Sequence, residues 1–275
     1  MPAAHTRIEF ITNSPPKPFR GFAVRSEEAR HAVSARKPYG CVHHIRTNFL
    51  NASALNGLAT LGRSRMRVSA FSDIDYSLVS LAELAQAASG VEDLVGHIAA
   101  ALQLTGVMGD AVADYRQAVA ARIDFLAAYG AGFHNDVKGH WTACLFWNLA
   151  LEMSDIEFVM PHASVRVALL PGDLIVFDQT LAHGLCRPRD GGQALAATFT
   201  NGAADQQIFL SGELLLSDAQ WAAAGAPWLP VDDPQHAGAL ELMAAEFDEQ
   251  SGAIKRPQTL AHCMQRSTVY ADPAA

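Results

Sequence analysis

The chain has no closely spaced cysteines, no long apolar stretch and no phosphate-cradling glycine motif. Its four cysteines, Cys41, Cys144, Cys186 and Cys263, stand far apart with no CxxC among them. That spacing argues against a zinc knuckle or a disulfide frame, and the thiols read as reduced, as in a cytoplasmic protein. The longest uncharged apolar run that matters, Trp141 to Leu151, is about half the span of a membrane helix. No basic and apolar leader opens the residues, so nothing points to export. Walker loops, GxGxxG turns before a helix, GxSxG elbows and HExxH are all missing, which sets aside the chemistries those motifs carry.

Basic residues are scarce outside the first quarter. Residues 71–275 hold 9 Lys/Arg against 25 Asp/Glu, a balance of −16, whereas residues 1–70 hold 11 against 3, a balance of +8. An acidic body is a poor partner for nucleic acid. The basic N-terminal part either faces an anionic small molecule or neutralises the acidic remainder through internal contacts.

What is present is an ordinary globular composition. Of 275 residues, 50% are apolar and 17% charged, enough to bury a sizeable core and to order the chain. Residues 1–20, with Pro15-Pro16 and Pro18, read as surface chain. Arg63, Arg65 and Arg67 alternate with small or apolar partners and suggest a strand between Arg63 and Tyr76. Residues 78–129 suit two or three helices, the last capped by Asp110, carrying Val112, Tyr115, Val119, Ile123 and Leu126, and ending at Gly130.

The texture then turns to strands. Trp141–Glu152, Ile156–Met160, Ser164–Leu169, Leu174–Phe177, Thr180–Arg187 and Gln193–Asn201 follow, broken by Pro-Gly-Asp and Asp-Gly-Gly turns. Six strands without an intervening helix predict an antiparallel sandwich or barrel. After Gly212 the chain reads as helical, with Asp233 capping a helix that opens at Pro234 and runs toward Gly252. The expected organisation is one domain over 1–275. A basic and helical part spans 1–129, a β-core 130–201 and a helical part 202–275.

The β-core opens with Gly132-Phe133-His134-Asn135-Asp136. In a strand His134 and Asp136 share a face. His183 comes 47 residues after Asp136, in the run PGDLIVFDQTLAHG. Two imidazoles and one carboxylate are the donor set of a facial iron(II) site with open positions. The bland alternative is a hydrogen-bonded His134–Asp136 pair and a core histidine at His183. His43-His44 point to opposite sides of any strand, and His97, His162, His236 and His262 lack acidic or histidine partners at metal spacing.

HxD, then a Pro-Gly-Asp turn with an apolar strand, then His-Gly, resembles the iron(II)/2-oxoglutarate oxygenases over residues 130–201. The resemblance implies a mainly β fold with flanking helices: a double-stranded β-helix (jelly-roll) core wrapped by α-helices. It implies that His134, Asp136 and His183 bind iron(II), and that 2-oxoglutarate and O2 are cosubstrates in oxidation of a small molecule such as an amino acid or biosynthetic intermediate. Many members hold the far carboxylate of 2-oxoglutarate with an Arg about ten residues past the distal His; here that place falls at Gln193. Arg187, of the same strand parity as His183, and then Arg166 are the substitutes, with Arg189, Arg46, Arg65 and Arg67 behind them. An iron(II) oxidase that does not use 2-oxoglutarate, or a non-catalytic cupin-like barrel, are the alternatives.

The strand Trp141–Glu152 also speaks about a pocket. Trp141, Ala143, Leu145, Trp147, Leu149 and Leu151 form a face to pack beneath helices. Thr142, Cys144, Phe146, Asn148, Ala150 and Glu152 form a mixed face able to line a cavity. Thr142 and Asn148 are the pocket candidates.

Overall fold

The computed structural model describes residues 42–48, 50–68, 74–104, 106, 112–128, 130–134, 144–160, 165–179, 183–186 and 206–223, together with outlying strands. In chain order the first elements are β1 (Arg7–Ser14), β2 (Val24–Arg25), β3 (Ser34–Arg36), β4 (Val42–Arg46), α1 (Ala52–Arg65) and β5 (Ile74–Leu78). Then come α2 (Leu81–Ala87), α3 (Leu94–Leu104), α4 (Val112–Ala121), β6 (Asp124–Ala128), β7 (Ala131–His134), β8 (Cys144–Glu152) and β9 (Glu157–Met160). The remainder are β10 (Val165–Ala168), β11 (Asp173–Phe177), β12 (His183–Cys186), β13 (Gln207–Leu215), α5 (Asp218–Ala223), β14 (Trp228–Pro230) and β15 (Gln265–Ala271).

Eight consecutive strands, β6 to β13, are dealt between two antiparallel sheets. The larger sheet runs β15-β1-β4-β11-β8-β13-β6-β5 and the smaller β10-β9-β12-β7. Within them, β11-β8-β13-β6 faces β10-β9-β12-β7, the strand order of a double-stranded β-helix. One apolar layer joins the sheets: Phe146, Ile175, Phe177 and Phe209 from the larger meet Phe158 and Val167 from the smaller. The outer face of the larger sheet packs under the helices through Leu145, Trp147, Leu149 and Leu151, against residues such as Leu58, Leu84 and Tyr115. The two faces read from the β8 sequence are therefore the two faces found. Each large side chain so buried contributes roughly 1.5–3 kcal/mol of transfer free energy. Among the described residues no helix is long and apolar enough to cross a membrane.

Local chemistry sets the element ends. Asn51 caps α1 by accepting from Ala54 N at 2.9 Å, satisfying a donor that the first turn leaves orphaned. Ser80 and Glu83 form a capping box at α2. The Ser80 N–H and the Arg65 guanidinium hold the Glu83 carboxyl down to about 2. Pro171-Gly172 makes the turn into β11, with Asp173 N donating to Leu170 O at 2.9 Å and Gly172 at φ +93°. That is a type II turn, whose third position only glycine occupies without strain.

Several sequence expectations change here. Arg63 and Arg65 close α1 rather than opening a strand. Two-residue spacing mimicked β alternation, but the helix C-terminal dipole favours cations in that turn. The helix expected to reach Leu126 stops at Ala121, and Asp124–Ala128 is a strand between β5 and β13. All five of its residues are buried, and a strand covered on both faces shows no alternation. Arg7–Ser14, expected to wander, pairs with β4 and β15. Gln207–Leu215 closes the core as a strand where helix was expected after Gly212. The expected strand Gln193–Asn201 and the helix from Pro234 lie outside the described residues.

The arginines of the basic segment meet acids of the remainder. Arg63 binds Glu152, Arg65 binds Glu83 at 2.6 Å, and Arg46 lies 3.7 Å from Asp173. Internal neutralisation is what these three do.

Candidate functional site

His183 opens β12, on the smaller sheet, and stands directly opposite His134 at the end of β7. Opposed residues of an antiparallel ladder lie on one face, with Cα atoms about 4.5–5.5 Å apart. The register then shifts between His183 and Leu185. Such bulges re-aim side chains beside functional sites. His183 is buried, its ring 4.9 Å from that of Phe177 and 6.2 Å from that of Phe158. Phe158 and Phe177 pack on each other at 4.7 Å. Two aromatic rings thus restrict where the imidazole can point.

His183 also lines a pocket between the two sheets. Phe146, Phe158, Phe177 and Phe209 supply rings from four strands, and Ile175 and Leu126 fill between them. Among the described residues three polar side chains reach it: His183, Tyr76 at the half-exposed rim, and Asn148 on the floor. Asn148 stands between Ile175 of β11 and Ser211 of β13 in the ladder, and its Oδ1 accepts from the Ser211 hydroxyl. Asn148 was legible as a pocket residue from the parity of β8. Ser211 was missed, because nothing in QIFLSGELL separates a serine that bonds a pocket residue from one facing water.

Not every site residue expected from the sequence falls where it can be described. Asp136, Thr142, Arg187, Arg189 and Gln193 lie outside the described residues. Arg166 is on β10 at the register position of Val159, alternating with Val167 of the inter-sheet layer. The expectation for Gln193 assumed a last core strand at Gln193–Asn201. In the closing strand found, Gln207–Leu215, Phe209 lines the pocket and Ser211 bonds its floor residue, and the strand contains no Arg or Lys. Arg65, a distant candidate for the same role, is engaged by Glu83. Among the described residues no three His, Cys, Asp or Glu converge as a metal site; Asp136 falls outside that set.

A second polar group sits on the inward side of the larger sheet. His44 Nε2 lies 2.9 Å from Asp173 Oδ2, which also accepts from Leu170 N at 3.0 Å. This pair ties β4 to the turn before β11. His43, on the other side of β4, is buried, and burial pushes its pKa down to about 4.

No family model matches the chain, and no curated protein matches it. Among solved structures it is similar to the viral collagen prolyl hydroxylase of Paramecium Bursaria Chlorella virus-1, in complex with 2OG, at 9% identity and a TM-score of 0.41, covering 64% of this chain and 96% of that one. The non-heme alpha ketoglutarate dependent epimerase SnoN from nogalamycin biosynthesis is similar at 16% identity and a TM-score of 0.34, over 84% and 93% of the two chains. A Pseudomonas putida prolyl-4-hydroxylase is similar at 11% identity and a TM-score of 0.36, over 70% and 96%. Likenesses this loose decide nothing about chemistry.

Proposed function

We propose that this protein is a non-haem iron(II)- and 2-oxoglutarate-dependent oxygenase that oxidises a small molecule. The observation that carries the reading is the juxtaposition of His183 and His134 in one ladder, with His183 lining a pocket between the sheets of a double-stranded β-helix. Two imidazoles, with the carboxylate of Asp136 two residues beyond His134, suit iron(II) by donor chemistry and leave open positions. When bound, iron(II) with 2-oxoglutarate and O2 supplies the power to oxidise a C–H bond, the keto acid leaving as succinate and carbon dioxide. The chain's own share is positioning. Phe177 and Phe158 orient His183, and the aromatic walls keep water from the reacting centre.

Arg187, one residue past β12, is the first choice to hold the outer carboxylate of 2-oxoglutarate, with Arg166 second and Gln193 as a neutral hydrogen-bonding partner. A cytoplasmic location accompanies this reading, in keeping with the dispersed cysteines.

One observation favours a second reading, an iron(II) oxidase that takes its electrons from the substrate alone. Among the described residues lining the pocket there is no Lys or Arg, and a buried carboxylate without a cation is costly. Anaerobic titration with iron(II), with and without 2-oxoglutarate, separates the two. A visible charge-transfer band that needs both is the result expected of the oxygenase. Turnover without any keto acid would establish the oxidase, and failure to bind iron(II) would remove both.

A further inference from the structure

We propose that Gln179 is a positioning residue for the iron(II) ligands: its amide clasps Cys144 and so ties together the two stretches of chain that carry His183 and Asp136. Where it concerns iron, the inference rests on the oxygenase reading given above.

The chain crosses between the sheets twice beside the candidate ligands. β7, which ends at His134, lies in the smaller sheet and β8, which begins at Cys144, in the larger; Asp136 falls between them in the sequence. β11, which ends at Phe177, lies in the larger sheet and β12, which opens at His183, in the smaller. Each crossing has one end on the larger sheet, and Cys144 and Gln179 stand at those two ends. Phe177 pairs with Phe146 in the β11–β8 ladder. Two residues further along each strand, the same register brings Gln179 opposite Cys144 on the same face. There Gln179 Nε2 donates to Cys144 Sγ at 3.2 Å, so a side-chain contact extends the ladder beyond its last backbone pair.

Gln179 is fully buried, as are Asp178 before it and Cys144 across from it. An amide taken wholly out of water is unfavourable unless it is hydrogen-bonded. Its partner Cys144 belongs to the apolar layer of Phe146, Phe158, Met160 and Phe177, which a leucine would fill more favourably if packing were the only role. What glutamine adds is a directional bond. It fixes where the chain leaves β11, four residues before His183, relative to where it enters β8, eight residues after Asp136. Phe177, two residues before Gln179, has its ring 4.9 Å from that of His183, so a shift at this end of β11 is passed directly to the imidazole.

The test is amide hydrogen exchange, read by NMR on metal-free full-length protein, beside an anaerobic iron(II) titration. In Gln179→Leu the amides of His183–Cys186 are expected to exchange roughly fivefold faster, the factor one buried hydrogen bond supplies. Those of Leu149 and Leu210, paired in the middle of the larger sheet, should keep their wild-type rates. Iron(II) should bind the variant about fivefold more weakly, by the same factor. Cys144→Val, which removes the acceptor, should behave in the same way, and Cys144→Ser, which keeps one, should restore most of the protection. Unchanged exchange at His183–Cys186 in Gln179→Leu overturns the proposal. So does a rise spread equally over both sheets, the mark of a residue that only fills the core, and so does Cys144→Ser exchanging as fast as Cys144→Val. If the wild-type protein binds no iron(II), the oxygenase reading falls, while the exchange rates of the metal-free protein still decide whether the clasp holds the strand of His183.

Discussion

His183 stands opposite His134 across the β12–β7 ladder, and the ladder slips directly after that pair. Forty-eight residues of chain separate the two histidines, and the sandwich topology cancels that separation.

The first prediction concerns that pair. His183→Ala should lose stoichiometric iron(II) binding and all turnover, and His134→Ala and Asp136→Ala should do likewise. On the proposed reading each removes one of three ligands at an open site. Thermal unfolding should change little for His183→Ala, beyond the packing lost against Phe177. Metal analysis after anaerobic loading is the check, and full iron occupancy in His183→Ala would remove it from the ligand set.

The second concerns the cosubstrate. On the proposed reading of Arg187 as the anchor, Arg187→Ala should raise the 2-oxoglutarate concentration for half-maximal turnover about tenfold or more, the cost of losing one charge-assisted contact. Iron(II) affinity should be nearly unaltered. If 2-oxoglutarate dependence is unchanged, the same measurement on Arg166→Ala becomes decisive, and Gln193→Ala should give a smaller rise than either arginine.

The third tests how β13 lies on β8. A Cβ at Gly212 would stand 2.5 Å from the ring of Trp147, which is fully buried. Backbone-to-indole contact this close admits no methyl group. Gly212→Ala should destabilise the fold by about 1–3 kcal/mol, as overpacking of a filled core does. Urea unfolding measures it, and a neutral result would mean the indole has room to move.

The fourth concerns pH. Burial lowers the His43 pKa to about 4 from the ordinary 6.5, so the folded state favours the neutral imidazole. The unfolded chain takes up a proton at His43 near pH 6.5 and the folded protein only near pH 4. The stability this represents is complete above pH 6.5 and is lost as pH falls from there toward 4. Over that window the loss attributable to His43 is about 3 kcal/mol. Comparing wild-type and His43→Gln unfolding free energies at pH 7.5 and pH 5 isolates it from the carboxylates: the pH dependence should be shallower in the variant.

Several features could be read without any structure. The two faces of Cys144–Glu152 follow from strand alternation alone, so Trp147 beneath the helices and Asn148 in the pocket were both legible. The Pro171-Gly172 turn was legible because its backbone shape depends on those residue types and nothing distant. His134 and His183 stood out as chemistry-bearing residues, each in a strand-like setting.

Tertiary structure decided the rest. Asp124–Ala128 carries no alternation because both its faces are covered, and only its placement between β5 and β13 distinguishes it from the end of a helix. β13 follows a long connection, so its role in closing the core depends on pairing with β8 and β6 rather than on any local signal. Ser211 engages Asn148 from 63 residues away, and Asp173 engages His44 from 129. Local backbone preference and side-chain period act over a few residues and are written in the sequence. Which distant strands become neighbours is settled by burying one apolar layer between two sheets, and the polar partnerships of the pocket exist only after that burial.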